Sequence, residues 1–349
     1  MDMTDIIERY QDKFTIKYQG RITVQLRRAM SAVLDCRTAR YGLMTLNCTA
    51  CDFHTTNYHS CGNRACPRCQ HHDTSQWLDR QQEKLLPVEY FMVTFTLPAE
   101  LRAVARHHQK KCYGFLLQCA RSTLSTFVSN DSRLGGDIGM TMVLHTHSRR
   151  LDYHPHVHII VPGVCVNKRR KQCTRLKEKY LYNEFSLAKV FRARFLEAMA
   201  ADGFSIPRDN PASWVVDCRH VGKGLPALKY LSRYLYRGVI SEKNILKDNG
   251  EQVTFGYVEG GTGEYKTRTV AGETFLWLVF QHVLPKGFRR VRDIGFLNGN
   301  AKSTLQSIQR ALHILVAKFK ARPRPVYECK MCGAPLAIIA FVPPAWRSG

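Results

Sequence analysis

The sequence predicts an α+β protein, with strands and helices in mixed order behind a cysteine-rich N-terminal module. Three observations carry that prediction. Apolar and polar residues alternate in EYFMVTFTLP (89–98), MTMVLHTH (140–147) and HPHVHIIVP (154–162), the period of strands that are buried on one face. Between and after them lie long stretches with helical spacing of apolar residues. Ahead of them, residues 36–72 hold six cysteines and few aliphatic side chains, too few for an ordinary core.

In chain order, residues 1–35 read as helical, with Leu26, Met30, Val33 and Leu34 on one face. Residues 74–86 read as a short polar helix. The strand 89–98 stops at Pro98, and a helix of about 30 residues follows, to about Val128. The strands 140–147 and 154–162 are joined by SRRLDY, which reads as an antiparallel hairpin. The basic stretch 168–179 reads as a loop. A helix over 185–201, a strand over 213–219 and a helix over 225–239 come next. Two short strands flank the turn GGTG within 252–270, and helices cover 272–284 and 301–321. FLWLVF (275–280) and AIIAFV (337–342) read as buried segments, while the tail as a whole shows no clear element.

Composition narrows the function classes. With 52 Lys and Arg against 28 Asp and Glu, the formal net charge is +24, and the expected partner is a polyanion, nucleic acid. No apolar run approaches the roughly 18 residues of a membrane span. The N-terminus MDMTDIIERY is acidic and lacks an apolar signal core, so the expected location is cytoplasmic, with thirteen cysteines acting as metal ligands or buried thiols rather than disulfides. There is no P-loop motif for nucleotide hydrolysis.

CTAC (48–51) and CPRC (66–69) are two knuckles separated by fourteen residues, the arrangement of a zinc ribbon. Cys48, Cys51, Cys66 and Cys69 are therefore expected to hold one structural zinc, whose binding supplies the missing core. Cys36, His59, Cys61 and His71 are candidates for a second zinc or for alternative ligands. CKMC (329–332) is a lone knuckle, which either binds metal with distant partners or remains reduced.

In YHPHVHIIVPG (153–163), His154, His156 and His158 fall on one face of a strand, with neighbouring Cα atoms about 7 Å apart. An antiparallel register that sets His145 opposite His156 adds a third imidazole, so His145, His156 and His158 are the expected ligands of a catalytic divalent ion. The same register sets His147 opposite His154. Imidazole suits zinc, nickel, copper or iron, whereas phosphate chemistry often uses Mg2+ or Mn2+. Three nitrogens leave positions open for a substrate.

KYLSRYLYR (229–237) places Tyr230 and Tyr234 four apart on a helix, hence one above the other. Lys229, Arg233 and Arg237 repeat at the same step as a positive ladder suited to DNA. A phenol is a poor nucleophile unless its oxyanion is stabilised, which a phosphate-polarising ion and nearby cations provide.

These motifs, in this order, resemble those of the two-tyrosine HUH endonucleases, and more closely the insertion-sequence-91-type rolling-circle transposases. The likeness runs through SCGNRACPRCQ, FTLP, LHTH, YHPHVHIIVPG, KYLSRYLYR and HVLPKGFRRVRDIGFL (282–297). His147 departs from it, standing where a tryptophan is expected. The resemblance implies an HUH-type central antiparallel sheet with flanking helices and the metal at its centre. It implies a helix and zinc-binding module over 1–88, a catalytic domain over 89–300 and a C-terminal helix and tail over 301–349. It implies that His156 and His158 are the HUH pair, that Tyr230 and Tyr234 are the nucleophiles, and that single-stranded DNA at the ends of a mobile element is nicked and rejoined through a 5′-phosphotyrosine. A plasmid replication initiator or relaxase would use the same chemistry, and a non-catalytic zinc-dependent nucleic-acid-binding protein is the alternative of a different class.

Overall fold

A computed structural model describes residues 2–69, 71–167, 172–235, 239–314 and 326–344; the side chains of 71–74 and 233–235 lie outside the described set. The chain forms two compact units, each assembled from separated stretches. One takes Thr74–Leu235 and Leu284–Lys318; the other takes Met1–Asp73, Tyr236–Val283 and Phe319–Gly349. The compact units thus interleave along the chain: Val291–Ile294 joins the five-stranded sheet of one, and Leu336–Val342 joins Leu43–Cys48 in the other.

The first unit is built on a five-stranded antiparallel sheet, in the order Val291–Ile294, Met140–His147, Tyr153–Pro162, Tyr90–Thr96, Val216–His220. Alternation divides its two faces. Phe91, Val93, Phe95, Leu144, Val157 and Ile159 are buried on one, against helices Gln109–Asn130 and Glu184–Ala201. Phe95 meets Phe191 at 4.8 Å between ring centroids, and Phe191 meets Trp214 at 5.4 Å. Thr94, Thr96, His145, His156 and His158 occupy the other face, since Thr94 pairs with His158 and Thr96 with His156. An α+β architecture with a central antiparallel sheet and flanking helices is therefore what the chain adopts.

Local chemistry explains the helix ends. Asn183 caps Glu184–Ala201 by accepting from the Ser186 amide at 3.1 Å, and Gly203, at φ +79°, closes it while the Phe204 amide donates to the Met199 carbonyl. The helix expected after Pro98 is broken into Ala99–Leu101, Arg102–His107 and Gln109–Asn130, because His108 leaves helical geometry (ψ 44°). In the edge strand, Asp293 accepts from Thr141 (2.8 Å), Gln81 (2.9 Å) and Lys84 (2.6 Å), tying the end of helix His71–Gln82 and the residues after it to the sheet. The basic stretch expected as a loop contains a strand, Gln172–Arg175, paired with Val164–Asn167. The polar helix is found over Lys302–Ala311, and 315–321 lie outside the described residues.

In the second unit, the expected N-terminal helix is two helices, Met3–Tyr18 and Val24–Leu34, parted at Gln19–Arg21, with the Thr23 hydroxyl capping the second through the Leu26 amide. Helix Gly272–Phe280 packs on the first of them, Trp277 stacked on Tyr18 at 4.5 Å. Strands Gln252–Val258 and Tyr265–Ala271 form the hairpin expected around GGTG, with Ile245–Asp248 beside them. A further sheet joins Leu43–Cys48 to His54–Tyr58 on one side and to Leu336–Val342 on the other. That last strand is exposed, not buried as its apolar sequence suggested: Ile338 is 59% and Phe341 63% accessible. Among the described residues, no helix is long and apolar enough to cross a membrane.

Two substitutions test this account. Phe95→Ala should lower unfolding stability by about 3–5 kcal/mol in a denaturant titration, the cost of emptying a fully buried aromatic site. Gly295 sits at φ +62° with the Ile138 carbonyl oxygen where a Cβ would go, so Gly295→Ala should cost more than about 1 kcal/mol by the same measurement.

Candidate active site

The hairpin of Met140–His147 and Tyr153–Pro162 carries the site. Its ladder sets Val143 opposite His158 and His145 opposite His156. The next pair is His147 with Tyr153, so His147 does not face His154 as expected. Two residues, His154 and Pro155, oppose the single Thr146 there, a bulge at a residue that has no amide hydrogen for the ladder. Ring centroids of His145 and His147 lie 6.4 Å apart.

Three imidazoles come together. Ring centroids are separated by 4.6 Å (His145–His158), 4.8 Å (His156–His158) and 5.2 Å (His145–His156), and one ring nitrogen from each lies within 4.8 Å of the others. Hydrogen bonds set the tautomers. His156 Nδ1 donates to the His154 carbonyl at 2.7 Å, because a carbonyl only accepts, which leaves Nε2 of His156 with its lone pair. Thr94 Oγ1 holds His158 Nδ1 at 2.8 Å and orients that ring the same way. Arg102 can only donate, so its Nη2, 2.7 Å from His154 Nδ1, fixes that nitrogen as an acceptor and holds His154 aside. Burial, reinforced by the neighbouring imidazoles, pushes His145 and His156 well below the usual histidine range. Burial and then His154 lower His158 to about 4. All three are thus neutral donors at neutral pH. The set fits a divalent ion that accepts nitrogen, with coordination positions left over.

The helix Leu225–Leu235 brings the phenol. Gly222 and Gly224 turn the chain into it, Pro226 stands in its first turn, where no amide hydrogen is needed, and Ala227, Leu228 and Leu231 are its buried side. Tyr230 is half-buried, its ring perpendicular to that of His158 at 6.1 Å between centroids. Lys229 on the same helix is exposed. Tyr234 and Arg233 belong to the helix, but their side chains, and Arg237 altogether, lie outside the described residues. Thr94 and Arg102 were not among the residues singled out from sequence. The signal for Thr94 was present, since Thr94 and Thr96 are the polar positions of an otherwise apolar alternation in FMVTFT.

The cysteines group differently from the expectation. Cys48 and Cys51 do not join Cys66 and Cys69. Instead Cys36, Cys61, Cys66 and Cys69 form one cluster, and Cys48, Cys51, Cys329 and Cys332 another. The hairpin Leu43–Cys48/His54–Tyr58 causes the split. CTAC lies at its tip, whereas the His59 amide bonded to the Gly42 carbonyl and the Arg37 amide bonded to the His59 carbonyl gather Cys36 and Cys61 at its base. In the basal cluster, Sγ separations are 3.5 Å (Cys36–Cys69), 3.6 Å (Cys61–Cys69) and 3.7 Å (Cys36–Cys66). Zinc–sulfur bonds of about 2.3 Å in a tetrahedron put sulfurs about 3.8 Å apart, so the cluster fits Zn2+. Hydrogen bonds from Cys61 and Cys66 lower the Cys36 thiol to about 7, toward the thiolate that a metal needs. His59 belongs to neither cluster, its ring lying 4.8 Å from Phe341, and the side chain of His71 is outside the described residues.

Comparison with known proteins agrees with this division of labour. Residues 6–97 match the family model described as "Transposase zinc-binding domain", and residues 139–304 match one described as "Putative transposase". Across 319 residues the chain is 33% identical to "Putative transposase y4qJ" of Sinorhizobium fredii, covering 85% of this chain and 80% of that protein. The chain belongs to the IS91-type transposases. It is also 26% identical over 346 residues to the transposase for insertion sequence element IS801 of Pseudomonas savastanoi pv. phaseolicola, covering 90% of this chain and 83% of that one. Among solved structures, the conjugative relaxase TrwC in complex with OriT DNA, in its metal-bound form, overlaps 66% of this transposase and 74% of its own chain, at 12% identity and a TM-score of 0.30. TrwC with a 27-mer DNA gives 65%, 75%, 12% and 0.28.

Thr94→Val keeps the shape of the strand but removes the hydroxyl that orients His158. It should weaken binding of a divalent ion at the three histidines about tenfold in a calorimetric titration while leaving metal at the cysteines in place.

Proposed function

We propose that this transposase cleaves and rejoins single-stranded DNA at the ends of a mobile element through a tyrosine, by rolling-circle-type transesterification. The observation that carries the reading is the Tyr230 ring lying beside His158 within the three-imidazole cluster. A lone tyrosine on an amphipathic helix is ordinary packing. A phenol against neutral, buried, mutually oriented imidazoles is suited to work on a phosphate.

The residues divide the task. His145, His156 and His158 would hold a divalent ion, Mn2+ more readily than Mg2+ because all three donors are nitrogen. Such an ion supplies charge neutralisation at the scissile phosphate. Thr94 and the His154 carbonyl keep two of the rings turned toward it. The phenolic oxygen of Tyr230 attacks phosphorus, one P–O bond forms, and the bond from phosphorus to the 3′ oxygen breaks. The phenol's proton ends on the departing 3′-hydroxyl, and the 5′ phosphate stays on the tyrosine. One phosphodiester is exchanged for another, so no nucleotide hydrolysis is called for. Tyr234, one helical turn on, is placed in sequence to take the second end. Lys229, exposed beside Tyr230, and the net charge of +24 support binding of the DNA backbone.

Incubation of the protein and Mn2+ with labelled single strands from the element's ends should give a denaturant-stable protein–DNA adduct. Peptide mapping should find the nucleotide remnant on Tyr230 or Tyr234. The Tyr230→Phe/Tyr234→Phe variant should give none, and an undiminished adduct in that variant would sink the assignment. Binding of the same strands should weaken steeply with salt, the log–log slope being about −0.7 per phosphate contacted; a flat response would contradict the electrostatic reading.

A further inference from the structure

We propose that Cys48, Cys51, Cys329 and Cys332 form a second structural zinc site, in which the C-terminal knuckle CKMC closes on the knuckle CTAC at the tip of the N-terminal hairpin. This goes beyond the nuclease reading and does not depend on it. The two matched family regions end at residues 97 and 304, so neither includes Cys329 or Cys332.

Four observations carry it. First, the sulfurs already stand at tetrahedral spacing: Cys48–Cys332 3.5 Å, Cys51–Cys329 3.7 Å and Cys51–Cys332 3.7 Å, against about 3.8 Å along an edge of a zinc–tetrathiolate tetrahedron. Second, each half is a formed knuckle. The Ala50 amide donates to Cys48 Sγ and the Met331 amide to Cys329 Sγ, both at 3.4 Å, the same bond repeated in two unrelated stretches. The Cys329 amide bonds to the Ala334 carbonyl, and Gly333, at φ +75°, turns the second knuckle back. Third, the backbone delivers the halves to each other: Leu336–Val342 pairs antiparallel with Leu43–Cys48, with Leu336 opposite Cys48, and the Thr49 amide donates to the Pro335 carbonyl. Fourth, among the described residues that strand is held mainly by its backbone ladder and the His59–Phe341 ring contact. It lies at the sheet edge with Ile338, Ile339 and Phe341 more than half exposed, so apolar burial contributes little to its docking. Thiolates select a soft or borderline ion, and four of them leave no position open, which makes the site structural.

Metal analysis of the full chain as isolated should give at least two zinc ions per chain, and the Cys329→Ser/Cys332→Ser variant should give one fewer. A single zinc in the unaltered chain, an undiminished count in the variant, or iron in place of zinc would each overturn the proposal. A measurement on the unaltered chain covers the case in which the variant misfolds. Cys51 and Cys332 are exposed, so as free thiols they would alkylate readily. In the zinc-loaded protein, alkylation of Cys48, Cys51, Cys329 and Cys332 should be slowed at least about tenfold, and a chelator should restore it at all four together. Rapid labelling of Cys329 and Cys332 while two zinc ions stay bound would refute the assignment.

Discussion

The backbone ladder between Met140–His147 and Tyr153–Pro162 decides where every imidazole of the site points. Strand alternation gives Val157, Ile159 and Val161 to the core and His156 and His158 to the opposite face. The apolar face fixes the register, because a slip of one residue would drive histidines into the packing around Phe95 and Phe191. The same burial that stabilises the sheet keeps the rings neutral. Core and site are therefore two readings of one alternation, and a change on either face is felt on the other.

Around that ladder the hydrogen bonds are directional. Arg102, Thr94 and the His154 carbonyl each hold one ring nitrogen. Thr94 and the His154 carbonyl thereby orient two rings of the cluster, while Arg102 holds His154 beside it. Asp293, by gathering Thr141, Gln81 and Lys84, keeps the outer edge of the same sheet in place. Those three bonds give a structural role to the one acidic residue in the basic block RRVRDIGF.

Much of this was legible in the sequence, and the parts that were not have a common cause. Period-two alternation exposed the histidine strand, its partner and the pairing of His145 with His156. It did not disclose the bulge at Pro155, because bulges depend on how the adjoining turn closes. Helical spacing placed Tyr230 but not its distance from His158, which depends on tertiary packing. Nearest spacing matches Cys48 and Cys51 with Cys66 and Cys69. A five-residue hairpin strand between the knuckles separates them, and the partner of the first knuckle is supplied by a strand near the other end of the chain. Hydrophobicity alone predicts a buried AIIAFV, whereas the strand is a largely exposed edge strand paired with Leu43–Cys48.

That long-range pairing has a consequence for how the molecule is made. Cys51 and its neighbour Cys329 are 278 positions apart, so at ribosomal speeds of roughly 5–20 residues per second the earlier thiols wait on the order of tens of seconds for the later ones. During that interval the tip of the hairpin is an open two-thiol claw. On the proposal above, its maturation waits for the synthesis of residues 329–332, and a message cut short before codon 329 would yield a chain whose CTAC knuckle lacks its partners.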